Sequence, residues 1–268
     1  MKSRSRVSET PKTDTWNPDQ YQQFKNERSQ PFFDLLDLVQ PRDGMDVIDL
    51  GCGTGELTRV MHQRLGARST IGLDSSSAML DRAAANADDG LTFRSGDIAT
   101  IDEPDAYDLV FSNAALQWVE NHETLIPRLV RLLRPGGQIA FQMPMNELHP
   151  SQSIAADLAG ETPYAEVLGG YRRREPPLPV ERYVTLLDEL GFTRPRGHIS
   201  VYTHYLSEPA AVLEWVRGSM LTDHQRRLPE SLFTAFVDEY RRRLLAALPD
   251  RRPYLLTYNR VLVWGQLA

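Results

Sequence analysis

Met45-Asp-Val-Ile-Asp-Leu-Gly-Cys-Gly-Thr-Gly55, followed by Glu56-Leu-Thr-Arg-Val-Met61, is the stretch whose reading decides the fold. A short apolar run ends in an acid and three spaced glycines, and the residues after it take up helical spacing. The segment therefore reads as strand, tight turn, helix. Gly51, Gly53 and Gly55 remove side chains where a backbone must approach a bound molecule, and they admit positive φ at little steric cost. The turn is predicted to be a ligand-binding loop.

A dinucleotide fingerprint needs a third glycine at the position held by Glu56, where an anionic pyrophosphate would meet a carboxylate at the helix start. This opposes NAD. The Gly-Lys-Ser/Thr of a phosphate loop is absent. On this motif alone, a glycine-rich turn in some other α/β protein stays open.

Working outward, the helix over 56–65 is predicted to stop at Gly66, and Ser69-Thr-Ile-Gly-Leu-Asp74 is a second strand ending in an acid. Asp74 lies about 20 residues beyond the loop, where a carboxylate can accept both hydroxyls of a ribose. Ser75-Ser-Ser-Ala-Met79 starts a helix with a serine cap, and Met79 turns back toward the loop. Leu91 to Ile98 is the third strand with its exit, and Tyr107 to Asn113 is the fourth, running into Ala114-Ala-Leu-Gln-Trp118. A helix over 127–133 is predicted to stop at Arg134-Pro-Gly-Gly137, before a fifth strand over 138–143. Alternating strands and helices imply a doubly wound, parallel α/β sheet with right-handed crossovers. Its ligand would sit at the carboxyl ends of the strands, where the glycine loop, Asp74, Asp97 and Asn113 converge.

Asp49-Leu-Gly-Cys-Gly-Thr-Gly55 resembles motif I of the class I methyltransferases, and Asp74, Gly96-Asp-Ile98, the Asp-Leu-Val-Phe strand and the Leu-Arg-Pro-Gly-Gly turn resemble their later motifs, in order. The resemblance implies a Rossmann-like, mostly parallel seven-stranded sheet with a helical cap, and S-adenosyl-L-methionine as cofactor. It implies that Asp49 faces the cationic amino acid end, that Gly51 and Gly53 pass the methionyl part, that Asp74 holds the ribose, and that Ser75 belongs to the cofactor site. Met79, Asp97 and Ile98 would meet the adenine, with Asn113, Ala114 and Trp118 also in the cofactor site. The flanks Trp16-Asn-Pro-x-x-Tyr-x-x-Phe-x-x-Glu-Arg-x-x-Pro31, Asn113-Ala-x-Leu-Gln-Trp118 and Gln142-Met-Pro144 are similar to the trans-aconitate methyltransferase family over nearly the whole chain. That likeness makes 15–40 lid helices, with Trp16, Tyr21 and Phe24 over the cofactor and Arg28 on its methionine carboxylate. The bland alternative is a helix docking its aromatic face on the core.

Residues 1–14 read as a disordered tail. Residues 41–145 are the cofactor core, and 146–268 are cap helices and the last strands of the same domain. The predicted later elements are a helix over 180–190, a strand over 198–205, a helix capped by Ser207 reaching Arg217, a helix over 229–248 and a strand over 258–264. The roof offers Gln117, Tyr171, Arg172, Arg173, Arg174, Tyr202, Tyr205, Arg217 and Tyr258 to an anionic substrate. Here the chain departs from the family pattern, carrying Arg217-Gly-Ser-Met-Leu-Thr222 where Gly-Leu-Arg-Pro is expected.

The chain has 268 residues, a net charge of -6 and one cysteine, Cys52, so a disulfide framework and a cysteine metal site are excluded. A net negative charge disfavours a nucleic-acid partner, and no apolar run approaches the length of a membrane span, so a soluble cytoplasmic protein is expected. A carboxylate acceptor is already ionised at neutral pH, so no general base is expected, and His149, His198 and His204 read as structural or substrate-contacting. Rival expectations are a carboxyl methyltransferase for a malonyl thioester, another small-molecule methyltransferase, and a cofactor-binding protein without turnover.

Overall fold

The computed structural model describes residues 25–171 and 176–268, with the side chains of 25–28, 218 and 219 outside the description. The expectations for Trp16, Tyr21, Phe24, the Arg28 side chain and Arg172 to Arg174 lie outside these residues.

Seven strands, β1 (Asp46–Leu50), β2 (Ser69–Asp74), β3 (Leu91–Ser95), β4 (Tyr107–Asn113), β5 (Leu133–Pro144), β6 (Phe192–Leu206) and β7 (Tyr254–Leu267), form one sheet in the order β3-β2-β1-β4-β5-β7-β6. The first five are parallel, and β7 runs antiparallel to both β5 and β6. The chain winds outward from β1 to β3 and then crosses to β4, so the connections diverge between β1 and β4. Their carboxyl ends open a crevice there.

The helices are α1 (Lys25–Leu36), α2 (Glu56–Leu65), α3 (Ser77–Ala83), α4 (His122–Val130), α5 (Pro150–Ala159), α6 (Tyr164–Leu168), α7 (Val180–Glu189), α8 (Ala211–Met220), α9 (Thr222–Arg227) and α10 (Glu230–Ala247). Because strand side chains alternate, Val47, Leu109, Phe111 and Trp264 meet Phe32 and Leu35 of α1 and Met61 of α2 on one face. On the other, Ile48, Val110, Phe141 and Val263 meet α4 and α7. With both faces covered, the inner strands carry apolar residues on both sides, and their polar residues are few and concentrated near the strand ends. A separate cluster around Phe236 and Tyr240 joins α5, α6, α8 and α10 to Leu206 and Leu256, so the cap stands at the carboxyl end of β6.

α1 sets the direction of the N-terminal segment. Gln138, fully buried in β5 just after its irregularity, accepts from Gln40 N (2.8 Å) and Trp264 Nε1 (3.0 Å) and donates to Gln40 O (2.7 Å). The chain leaving α1 is thereby fixed to the amino ends of the strands, and Lys25, about 18 Å of helix earlier, lies toward the carboxyl ends.

Several boundaries differ from expectation. Pro31 lies inside α1 instead of closing a helix, because its fixed φ is a helical value and the loss of one N–H is outweighed by burial of Phe32, Leu35 and Leu36. α1 stops at Leu36, and tight turns carry the chain on to Val39. α4 begins at His122, five residues before Pro127, because Leu125 and Ile126 are already in the core. Arg134-Pro-Gly-Gly137 is an irregularity within β5, where Tyr107 pairs with Leu133 but Leu109 with Gln138. Ser207 does not cap α8, whose N-cap is Ala210, since Pro209 disfavours a helical Glu208. No described helix is long and apolar enough to cross a membrane.

Phe32 has no exposed surface, and its ring is 5.4 Å from that of Phe111. Phe32→Ala is expected to cost about 3–5 kcal/mol, measured as a lower urea midpoint at unchanged slope; a cost under about 1 kcal/mol would show that α1 is not part of the core.

Candidate cofactor and acceptor site

The glycine loop is bonded back onto β2, with Gly51 N donating to Leu73 O (2.7 Å) and Cys52 N to the same oxygen (3.0 Å). Gly51 has φ 79°, and a Cβ there would stand 2.2 Å from Ala115 Cβ, so the loop is pressed against the exit of β4. At Gly53, φ 56°, a Cβ would meet nothing within 4 Å. These glycines serve different ends: Gly51 lets two loops touch, and Gly53 leaves room for a ligand. Gly55 serves packing as well, for its Cβ would strike the Phe93 ring at 2.6 Å.

Two acids flank the loop. Asp74 Oδ2 accepts from Gly53 N (2.8 Å) and Oδ1 from Ser76 N (2.9 Å), so the carboxylate ties the loop to the start of α3. Each oxygen keeps a lone pair for a ligand hydroxyl. Asp49 is buried at the end of β1, where Oδ2 accepts from Thr58 Oγ1 (2.6 Å) and Oδ1 has no partner among the described residues. Burial pushes its carboxyl up to about 7, the Thr58 hydrogen bond opposes this, and the Asp74 charge adds to it.

Beyond β4, Ala114 holds a left-handed φ of 55°, which is strained for a residue with a Cβ. Its N–H donates to Gln142 O (2.9 Å), and its carbonyl accepts from Gln117 Nε2 (2.6 Å). His122 Nε2 faces Leu116 O (3.0 Å) and Val119 O (3.1 Å), both acceptors, so it carries the proton and pins the turn bearing Gln117 and Trp118. Gln117 Oε1 is buried with no partner among the described residues. Two buried acceptors thus stand unpaired at the ends of adjacent strands, and each such group carries a penalty of about 1–3 kcal/mol until a donor arrives.

The other predicted residues divide. Ile98 approaches the loop, its Cδ1 3.8 Å from a Cβ at Gly51, and Met79 is buried on the first turn of α3, its N–H on Ser76 Oγ (3.3 Å). Ser75 is exposed, and exposed Asp97 accepts from Ala99 N (2.8 Å) in its own turn. Asn113 joins Gln142, and Gln142 joins Arg260, across three strands. In the roof, Tyr202 donates to Asp34 Oδ2 of α1 (2.6 Å), while Tyr205 lies on the opposite face of β6 and is 72% exposed. Tyr171 donates to Asp223 Oδ2 (3.0 Å) beneath Arg227, and Arg217 pairs with Glu214 on the solvent-facing side of α8 (3.3 Å). Tyr205 therefore faces away from Arg260, Tyr171 and Arg217 hold acidic partners within the cap, and Tyr202 and Tyr258 share a face with Arg260. Sequence reasoning missed Thr58, Gln142's role and Arg260. Their signal was a polar residue on an otherwise buried helix face or strand. A cavity of about 420 Å³ at the opposite end of the sheet holds Arg68 and Arg134, already paired with Asp46 and Asp108.

A family profile described as a methyltransferase domain matches residues 47–137. A trans-aconitate 2-methyltransferase from Deinococcus radiodurans is 41% identical over 254 residues, covering 92% of this chain and 96% of that protein. Another from Variovorax paradoxus is 38% identical, covering 94% and 98%. The chain belongs to the trans-aconitate 2-methyltransferase family. The resemblance read from the motifs is borne out, and membership extends past the glycine loop to the cap. Among solved structures, the YcgJ protein from Bacillus subtilis aligns with a TM-score of 0.59 at 14% identity, covering 91% of this chain and 98% of that one, a likeness of fold. Against the trans-aconitate 2-methyltransferase pattern, the altered residues 217–222 span the last turn of α8 and the start of α9, where Arg217 is exposed and Met220 and Leu221 are buried.

Gly51→Ala and Gly53→Ala should separate structure from binding. Gly51→Ala is expected to lower the melting temperature by several degrees, from the Ala115 clash. Gly53→Ala is expected to cost only about 1–2 kcal/mol of backbone strain and to weaken cofactor binding about 100-fold or more in calorimetry. Equal effects in the two variants would remove the distinction. Asp49 yields a pH signature. Its folded pKa lies above the ordinary value, so its contribution to stability is complete below about pH 4 and lost as pH rises through about 7. A cation at Oδ1 favours the ionised form, so cofactor binding should release a proton and tighten about tenfold from pH 6 to pH 8. Asp49→Asn should abolish that slope.

Proposed function

We propose that this enzyme transfers a methyl group from S-adenosyl-L-methionine to a carboxylate of trans-aconitate, forming a methyl ester. The observation that carries it is that two buried acceptors, Asp49 Oδ1 after β1 and Gln117 Oε1 after β4, lack partners among the described residues, in the two exit loops that meet where Gly51 touches Ala115. When bound, the cofactor supplies an electrophilic methyl group on a sulfonium. Asp49 and Gln117 accept from its ammonium group, and Gly53 leaves passage for the methionyl chain over the loop that Gly51 seats against Ala115. Gln117 was expected on the substrate, but an acceptor facing a carboxylate has nothing to accept, which favours the cofactor. Asp74, held by Gly53 N and Ser76 N, accepts the ribose hydroxyls, and Ser75, Met79, Asp97 and Ile98 border the adenine. Asn113, Ala114 and Trp118 line the exit of β4 between cofactor and acceptor. Trp16, Tyr21, Phe24 and Arg28 form a lid, a role supported by the course of α1, which delivers the preceding chain to the carboxyl ends of the strands.

The acceptor carboxylate is ionised near neutral pH. The chain needs no proton acceptor; it holds nucleophile and methyl group in line and excludes water. Residues 41–145 are the cofactor core, and the cap of 146–268 closes over the acceptor.

Incubation of trans-aconitate with methyl-labelled cofactor is expected to give a product whose label is released by mild alkali, as an ester's is. Label that survives alkali would refute carboxyl methylation. Faster ester formation on a malonyl thioester would reassign the substrate.

A further inference from the structure

Arg260 is the one charged residue of β7, in a strand that is otherwise apolar or neutral. It pairs with Pro144, the last residue of β5, and so stands at the carboxyl end of the sheet. Its Nη1 donates to Gln142 Oε1 (2.9 Å), and buried Gln142 donates in turn to Asn113 Oδ1. The guanidinium carbon is 5.4 Å from the centre of the Tyr258 ring. Pairing of Arg260 with Ser200 and of Tyr258 with Tyr202 puts all four on one face, and Tyr202 is tied to α1 through Asp34. One hydrogen bond and one ring fix the guanidinium plane.

A guanidinium carries five N–H donors, and here one is used by a neutral partner. Among the described residues Arg260 makes no ion pair, unlike Arg182, Arg217 and Arg243, each of which holds a glutamate. A half-buried, pre-oriented, unneutralised guanidinium is complementary to a carboxylate, which it can grip with two parallel bonds. Its place selects which carboxylate. The cofactor loop belongs to β1 and β2, on one side of β4; Arg260 is two strands to the other side, about 10 Å from β4. That is the acceptor side.

We propose, on the carboxyl methyl transfer reading above, that Arg260 is a specificity-determining residue that binds a non-reacting carboxylate of the acceptor, with Tyr258 and Gln142 holding its guanidinium in place. An acceptor with several carboxylates needs a cation for those that do not react, so that the remaining one is presented to the methyl group. Arg260 supplies it from the sheet, whereas Arg217, on the solvent-facing side of α8, is paired with Glu214.

The test is a split between acceptor and cofactor. Arg260→Met is expected to raise KM for trans-aconitate about 100-fold, the loss of one charge-assisted pair, and to leave S-adenosyl-L-methionine affinity in calorimetry within twofold. Arg260→Lys keeps the charge but not the fork and should raise KM about tenfold. The same loss of cofactor affinity as of KM would overturn the proposal, because the arginine would then hold the cofactor. An unchanged KM in either variant would overturn it too. If Arg260→Met loses its melting transition, the lysine variant decides on the same criteria. Wild-type protein that forms no alkali-labile product would instead refute the methyl transfer itself, a failure visible before any variant is made.

Discussion

At the end of β1 a carboxylate is buried with one oxygen satisfied by Thr58 and the other by nothing in the described chain. Desolvation raises its pKa to about 7, far above the ordinary carboxylate range. The neighbourhood depends on that arrangement. Thr58 must be on the first turn of α2 to reach Oδ2, which requires the tight loop, and the loop is tight because Gly51 rests on Ala115. Asp74 then ties Gly53 and Ser76 together, so both acids share one rigid backbone frame. Such pre-organisation costs stability in the empty protein and is offset on binding, the usual relation between strain and function at a site.

The second half of the site is built by strands that arrive late in the chain. β7 inserts between β5 and β6, bringing residue 260 beside residue 144 although 116 positions separate them. The bridge from Asn113 through Gln142 to Arg260 then links the exit of β4, where the methyl group would lie, to a cation on the acceptor side. α1 covers the same face. It is pinned at its far end by Gln138 and along its length by Phe32 and by the Tyr202–Asp34 bond, so the N-terminal segment starts from a fixed point.

Much of this was legible before any coordinates. Strand, glycine loop and helix are local events, set by apolar runs and by residues that only glycine can replace, and β1 to β4 fall where the apolar runs place them. Boundaries failed where packing outweighed propensity. α1 runs through Pro31, and α4 takes in Pro127, because their apolar faces were already committed to the sheet. Tyr205 and Arg217 were plausible substrate contacts by residue type, but strand parity puts Tyr205 on the other face, and an exposed glutamate takes Arg217.

By itself the sequence determined the parallel sheet, the glycine loop, the two strand-end acids and the family, because each is carried by short-range pattern in a single stretch of chain. Only the tertiary structure decided that Asp49 Oδ1 and Gln117 Oε1 both lack a partner among the described residues, that Gly51 packs on Ala115 while Gly53 faces open space, and that Arg260 is bonded to Gln142 at the carboxyl end of the sheet. Those depend on burial and on registry between strands far apart in sequence, and neither burial nor cross-strand registry is a property of any one segment.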